Sequence, residues 1–110
     1  MNADIQEYVK ACIIKGESDD VGDSKEGNKQ YAIINTLYLS LKSNDRLSEL
    51  IPLLRHENPY VRLWAASHTL RTAKSKAVRT LKSLSKLRGM VGFISATTLK
   101  EWKKGNLTEL

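Results

Sequence analysis

His56, His68 and Cys12 are the residues in this chain from which general-base or nucleophilic chemistry could be built. Their spacing argues against it. The two histidines stand twelve residues apart and form no HExxH pair that would grip a metal from one helix turn. Cys12 falls on an apolar helical face in a different part of the chain, and no nucleophile elbow or phosphate-cradling glycine loop is present. His68 follows Trp64 by four residues, which makes it a half-buried or groove-lining side chain. The expectation is a chain that is not an enzyme, with no cofactor, no metal and no small-molecule substrate.

Charge is the stronger signal. Residues 71–88, RTAKSKAVRTLKSLSKLR, hold seven basic residues and no acid, among them Arg71, Lys74, Lys76, Arg79, Lys82 and Lys86. On a helix, Lys76, Arg79, Lys82 and Lys86 share one face, opposite Ala77, Val78, Leu81 and Leu84. Such a stripe binds phosphates or an acidic protein surface, or is simply the solvated side of an amphipathic helix. Single-strand recognition usually adds aromatic rings for base stacking. Here Tyr60, Trp64, Phe93 and Trp102 have core-like helical spacing, and none is interleaved with the stripe. The opposite charge collects at residues 16–27, GESDDVGDSKEG, where Glu17, Asp19, Asp20, Asp23 and Glu26 crowd a segment that reads as a solvated loop. That loop either solubilises the chain or mimics phosphates to plug a basic groove; its ligand order does not match an EF-hand.

These features sit on a chain of 110 residues, enough for one core and one domain. A composition 41% hydrophobic and 27% charged is that of a globular protein rather than a disordered one. The net charge of +6 is unevenly divided: residues 1–30 carry seven acids against four Lys, and the remainder fourteen Lys and Arg against five acids. Charged partners follow from this asymmetry. One cysteine permits no intramolecular disulfide, the first residues lack the pattern of a signal peptide, and no apolar run approaches the roughly 20 residues of a membrane span. A cytoplasmic protein with no membrane partner is expected.

Helical periodicity accounts for nearly all of the chain. Ile5, Tyr8, Val9, Cys12 and Ile13 predict a helix over 4–15, capped by Asp4 and ended by Gly16. YAIINTLYLSL, residues 31–41, is apolar on more than one side and predicts the central helix. Residues 45–55 predict a helix that Pro52 bends or shortens, and Asn58-Pro59 opens another that runs to about Arg71. A basic helix over 74–87 stopping at Gly89, and a last one over 90–104 stopping at Gly105, complete an all-α set of about six. A weak repeat joins the second half: Leu47 and Val78, Leu50 and Leu81, Leu53 and Leu84, and Ala65 and Ala96 are each 31 residues apart.

LSELIPLLRHENPYVRLWAASHTL, within that repeat, resembles a HEAT repeat: an apolar first helix, a polar turn at Glu57-Asn58-Pro59, then Val61-Arg62 and Ala65-Ala66 ahead of Leu70. The resemblance implies stacked helical hairpins over residues 1–110. It also implies that Arg62 is a structural staple at the inter-repeat turn, bonding acidic or carbonyl groups of the neighbouring unit. Residues 58–107, from VRLWAASHTL to TLKEWKKGNL, also resemble a family of small bacterial helical domains of unassigned function. Domains of this kind are similar to immunity proteins that accompany secreted or contact-delivered toxins. The implied function is binding of a cognate toxin, a nuclease for example, by covering its active site through the acidic loop and the basic stripe. The alternative is a nucleic-acid-binding protein that sets the stripe on backbone phosphates.

Overall fold

The computed structural model describes residues 2–107, and every regular element among them is helical. α1 spans Ala3–Asp20 and α2 Ser24–Ser43; a 3-10 helix covers Leu47–Arg55; α3 spans Pro59–His68, α4 Lys74–Leu84 and α5 Gly89–Lys103. The class and the number of helices are those expected. No helix among the described residues is long and apolar enough to cross a membrane.

α1 buries Ile5, Tyr8, Ala11 and Cys12 at three- and four-residue steps, then continues through Gly16. Here the expected boundary is corrected. Gly16 does not end the helix; it clears space for the ring of Tyr60, whose Cδ2 lies 2.2 Å from where a Cβ would stand. The acidic segment 16–27 is therefore helical apart from residues 21–23, with Gly22 turning the chain at φ +75° and Asp23 capping α2 by accepting from the Glu26 amide at 3.1 Å. Replacing Gly16 with Ala gains about 1 kcal/mol of helix propensity. It must also displace Tyr60 and strain the hydrogen bond that its hydroxyl donates to Asp20 Oδ1 at 2.5 Å. We expect Gly16→Ala to lose about 1–2 kcal/mol in urea unfolding, because overpacking outweighs propensity; a stabilised variant would contradict this contact.

After α2, Asp45 takes a left-handed φ of 56° and the chain enters the 3-10 helix. Pro52 lies inside it, where a missing amide is incompatible with a regular α-helical ladder. The apolar face is kept: Leu50, Leu53 and Leu54 are buried. Arg46 ties this segment to the start of α1, with Nη1 on Asp4 Oδ2 at 2.9 Å and Nε on Glu49 Oε2 at 2.7 Å. Asp4 is thus an ion-pair partner rather than a cap, and its hydrogen bond to Arg46 holds its carboxyl below the usual range. The next start is as expected. Asn58 Oδ1 accepts from the amides of Tyr60 and Val61 at 2.9 and 3.3 Å, and Pro59 opens α3. Arg62 Nη1 donates to the carbonyls of His56 and Glu57 at 2.8 and 3.2 Å, so it staples the turn before its own helix.

α3, not α2, is the hub. It packs on the 3-10 helix, α4, α1 and α5, and buries Tyr60, Val61, Leu63, Ala65, Ala66 and His68 around its circumference. α2 packs mainly on α1 and leaves Tyr31 and Leu39 half exposed. Its apolar breadth reflects a groove wall rather than a central position. The consecutive pairs α1/α2, 3-10/α3 and α4/α5 each pack together, and a 31-residue shift places α3 within α5. Leu81 and Leu84 of α4 are buried as Leu50 and Leu53 are, whereas Ala96, unlike Ala65, faces solvent. Gly89, with φ +81°, opens α5 instead of closing α4, which already ends at Leu84.

Candidate functional site

Three helices that meet around α3 leave a groove of about 390 Å³ between α2 and α5. One face of α2 supplies Tyr31, Asn35 and Tyr38, which are four and three residues apart. α3 forms the floor with Trp64, Ser67 and His68. α5 presents Phe93, Ile94, Thr97, Thr98 and Glu101, and Leu107 closes one end.

The floor is a set of interlocked rings. His68 stacks on Tyr38 at 4.0 Å and 15°, and meets Trp64 at 5.6 Å and 48°. Trp64 in turn meets Tyr31 at 5.9 Å and 53°. Beneath them the Tyr8 hydroxyl and His68 Nδ1 share a hydrogen bond of 2.8 Å. Burial lowers the His68 pKa to about 3, so the imidazole is neutral and structural. It lines the groove with 7% exposure, its Nδ1 engaged by Tyr8. Cys12 is fully buried, and burial pushes its thiol above the usual range, away from the reactive thiolate. The Tyr38 hydroxyl is buried and makes no hydrogen bond. Phe93 is 69% exposed at the rim, contrary to the core placement expected from its spacing.

Lys76, Arg79 and Lys82 lie on α4 at the expected helical spacing, with Arg79 beside both of the others. Arg71 and Lys74 line a second cleft with Val78, Trp102 and Lys103, and Leu107 belongs to both this cleft and the groove. Lys82 continues along α4 beside Lys74 and Arg79, while Lys76 lies toward the 3-10 helix, near Arg55. Lys86 lies past the end of α4, in the turn that follows it, and is exposed. Folding also brings Lys100, Lys103 and Lys104 of the α5 end to this side of the molecule, and it places Trp102 among the cations. No family model, curated protein or solved structure matches this chain.

The acidic residues lie elsewhere. Asp20 bonds Tyr60 at the start of α3, whereas Arg71 and Lys74 follow its end, about 15 Å away along the helix. This polarity matches the helix dipole. Asp19 pairs with Lys15 at 2.9 Å, Asp23 is a cap, and Glu17 is exposed. Glu26 accepts from Gln30 Nε2 at 2.9 Å, so of the five acids three are engaged within α1 or α2 and a fourth, Asp20, holds Tyr60. His68 lines a groove, one of the two placements its spacing to Trp64 suggested, but the α2 and α5 walls were not anticipated from the sequence; their signal was the placement of Tyr31 and Tyr38 seven residues apart.

Proposed function

We propose that this chain is a non-catalytic protein-binding module that acts as an immunity protein, neutralising a cognate toxin by stoichiometric cover of its active site. The observation that carries protein binding is the aromatic groove with Phe93 and Tyr31 exposed at its mouth. Solvent-exposed rings around a preformed apolar pocket are the usual anchors of protein interfaces. The immunity role rests on the resemblance of residues 58–107. A cytoplasmic setting accords with it, since an immunity protein of this kind meets its toxin inside the cell it protects.

Nucleic-acid binding is a second reading, favoured by Trp102 standing among Arg71, Lys74 and Lys103. One experiment separates the two. Tagged protein is purified from its native cells with and without nuclease treatment, and any retained partner is expressed alone and together with this chain. We expect one protein partner at a one-to-one ratio that survives nuclease, is toxic alone and is harmless with this chain. Loss of all bound material on nuclease treatment would transfer the function to nucleic acid.

A further inference from the structure

We infer that the groove and the basic cleft are one docking surface for an acidic protein segment carrying an aromatic anchor. The anchor enters between Tyr31, Trp64 and Phe93, and carboxylates flanking it lie on Lys74 and Lys103. This rests on the protein-binding reading above and specifies the partner's chemistry.

Continuity is the first argument. Leu107 lines both depressions, so a chain leaving the groove at that end passes directly onto the cations. Charge is the second. Among the described residues, Lys74, Lys100, Lys103 and Lys104 are exposed and enter no ion pair, and no acid lines the basic cleft. Basic flanks on a partner would be repelled here, and acidic flanks would be drawn in. The third argument is the Tyr38 hydroxyl in the groove wall, buried without a partner and close enough to Arg71 to feel its charge. Among the described residues this hydroxyl is unpaired, so an occupant that shifts the Tyr38 ring supplies an acceptor the isolated protein does not.

The groove itself argues against a nucleobase. Tyr31 and Trp64 are tilted by 53° and pack on each other, forming a wedge rather than a parallel slot. Glu101 stands in the groove wall, fixed by a 2.6 Å bond from Asn106 Nδ2, so any anion is repelled inside the groove and the partner's acids must lie outside it, on the basic cleft. A side chain bearing its own ring fits the wedge edge-on, and its backbone carries the flanking acids outward.

The test uses fluorescein-labelled short peptides and polarisation. One has a central Phe flanked by Asp and Glu, one replaces that Phe with Ala, and one flanks Phe with Lys; oligothymidylate of similar charge is the nucleic-acid control. We expect the acidic Phe peptide to bind below about 1 mM and at least about tenfold tighter than its Ala counterpart. Phe93→Ala should erase that difference without changing the melting temperature, because the ring is largely exposed. Lys74→Glu with Lys103→Glu should weaken both acidic peptides about tenfold and flatten their salt dependence. Equal binding of the Phe and Ala peptides, no binding at millimolar concentration, or preference for the Lys-flanked peptide would overturn the assignment. So would tighter binding of oligothymidylate that displaces the peptide, or a dimer by light scattering that Phe93→Ala dissolves. Any of the first three outcomes beside an intact toxicity rescue would reject this surface while leaving the immunity reading in place.

Discussion

Gly92→Ala should destabilise the protein by about 3 kcal/mol or more, at the upper end of what overpacking by one methyl group does. Gly92 is buried in the first turn of α5, and a Cβ there would stand 1.8 Å from the Leu87 carbonyl oxygen and 2.8 Å from its carbon. These atoms belong to backbone, in a turn whose Leu87 amide bonds the Leu84 carbonyl at 3.0 Å. A side chain in their place would swing aside; a hydrogen-bonded turn must break or α5 must lift. The propensity gain of about 1 kcal/mol for Ala over Gly is too small to offset this. Gly89→Ala is the control. Its φ of +81° is strained for Ala, but nothing lies within 4 Å of its Cβ position, so about 1 kcal/mol is expected. Urea unfolding of the two variants tests the ranking, and a Gly92→Ala loss within 1 kcal/mol of wild type would show that the turn yields. Phe93 and Ile94 follow directly, so the variant should also lose groove binding before it loses helix content.

Why the sequence was legible in some places and silent in others follows from the range of the forces concerned. Helix existence rests on local periodicity and caps, and the Asn58-Pro59 start, the Pro52 disruption and the apolar faces of α1 and α4 were all readable. Boundaries failed where a glycine's role is tertiary. Gly16 looks like a terminator until Tyr60, 44 residues away in sequence, occupies the space beside it. The hub was misplaced for a related reason: residues 31–41 of α2 are strongly apolar in sequence, but burial depends on neighbours, and α3 is surrounded. At the site, the basic residues were identified by composition and helical spacing. The arrival of Trp102 and Lys103 beside Arg71 and Lys74 depends on how α5 packs on α4. The aromatic groove as a whole was illegible because its walls come from three helices, each contributing residues that alone look like ordinary core.

Acid should unfold this protein through His68. In the folded state burial lowers its pKa to about 3, while in the unfolded chain it titrates near the ordinary 6.5. Above pH 6.5 both states are neutral there and stability does not depend on this group. Between 6.5 and 3 the unfolded chain binds a proton that the folded one refuses, so stability falls as pH falls, approaching about 1.4 kcal/mol per pH unit within the window. Asp4 and Glu49, held low by hydrogen bonds to Arg46, add a loss of the same sign only at more acidic pH, where carboxylates begin to protonate. His68→Phe separates the contributions. It keeps a ring against Tyr38, removes the titration and leaves the Tyr8 hydroxyl without its partner, a roughly pH-independent loss of about 1 kcal/mol. Urea titrations from pH 7 to 4.5 should therefore slope for the native protein and run nearly flat for the variant; equal slopes would place the linked proton elsewhere. Since His68 stacks on Tyr38 and touches Trp64, the groove floor stays intact while the folded state keeps His68 neutral and is lost when acid unfolds the core. Any partner held there should consequently be released at the pH where the chain unfolds, and tryptophan fluorescence should follow both events together.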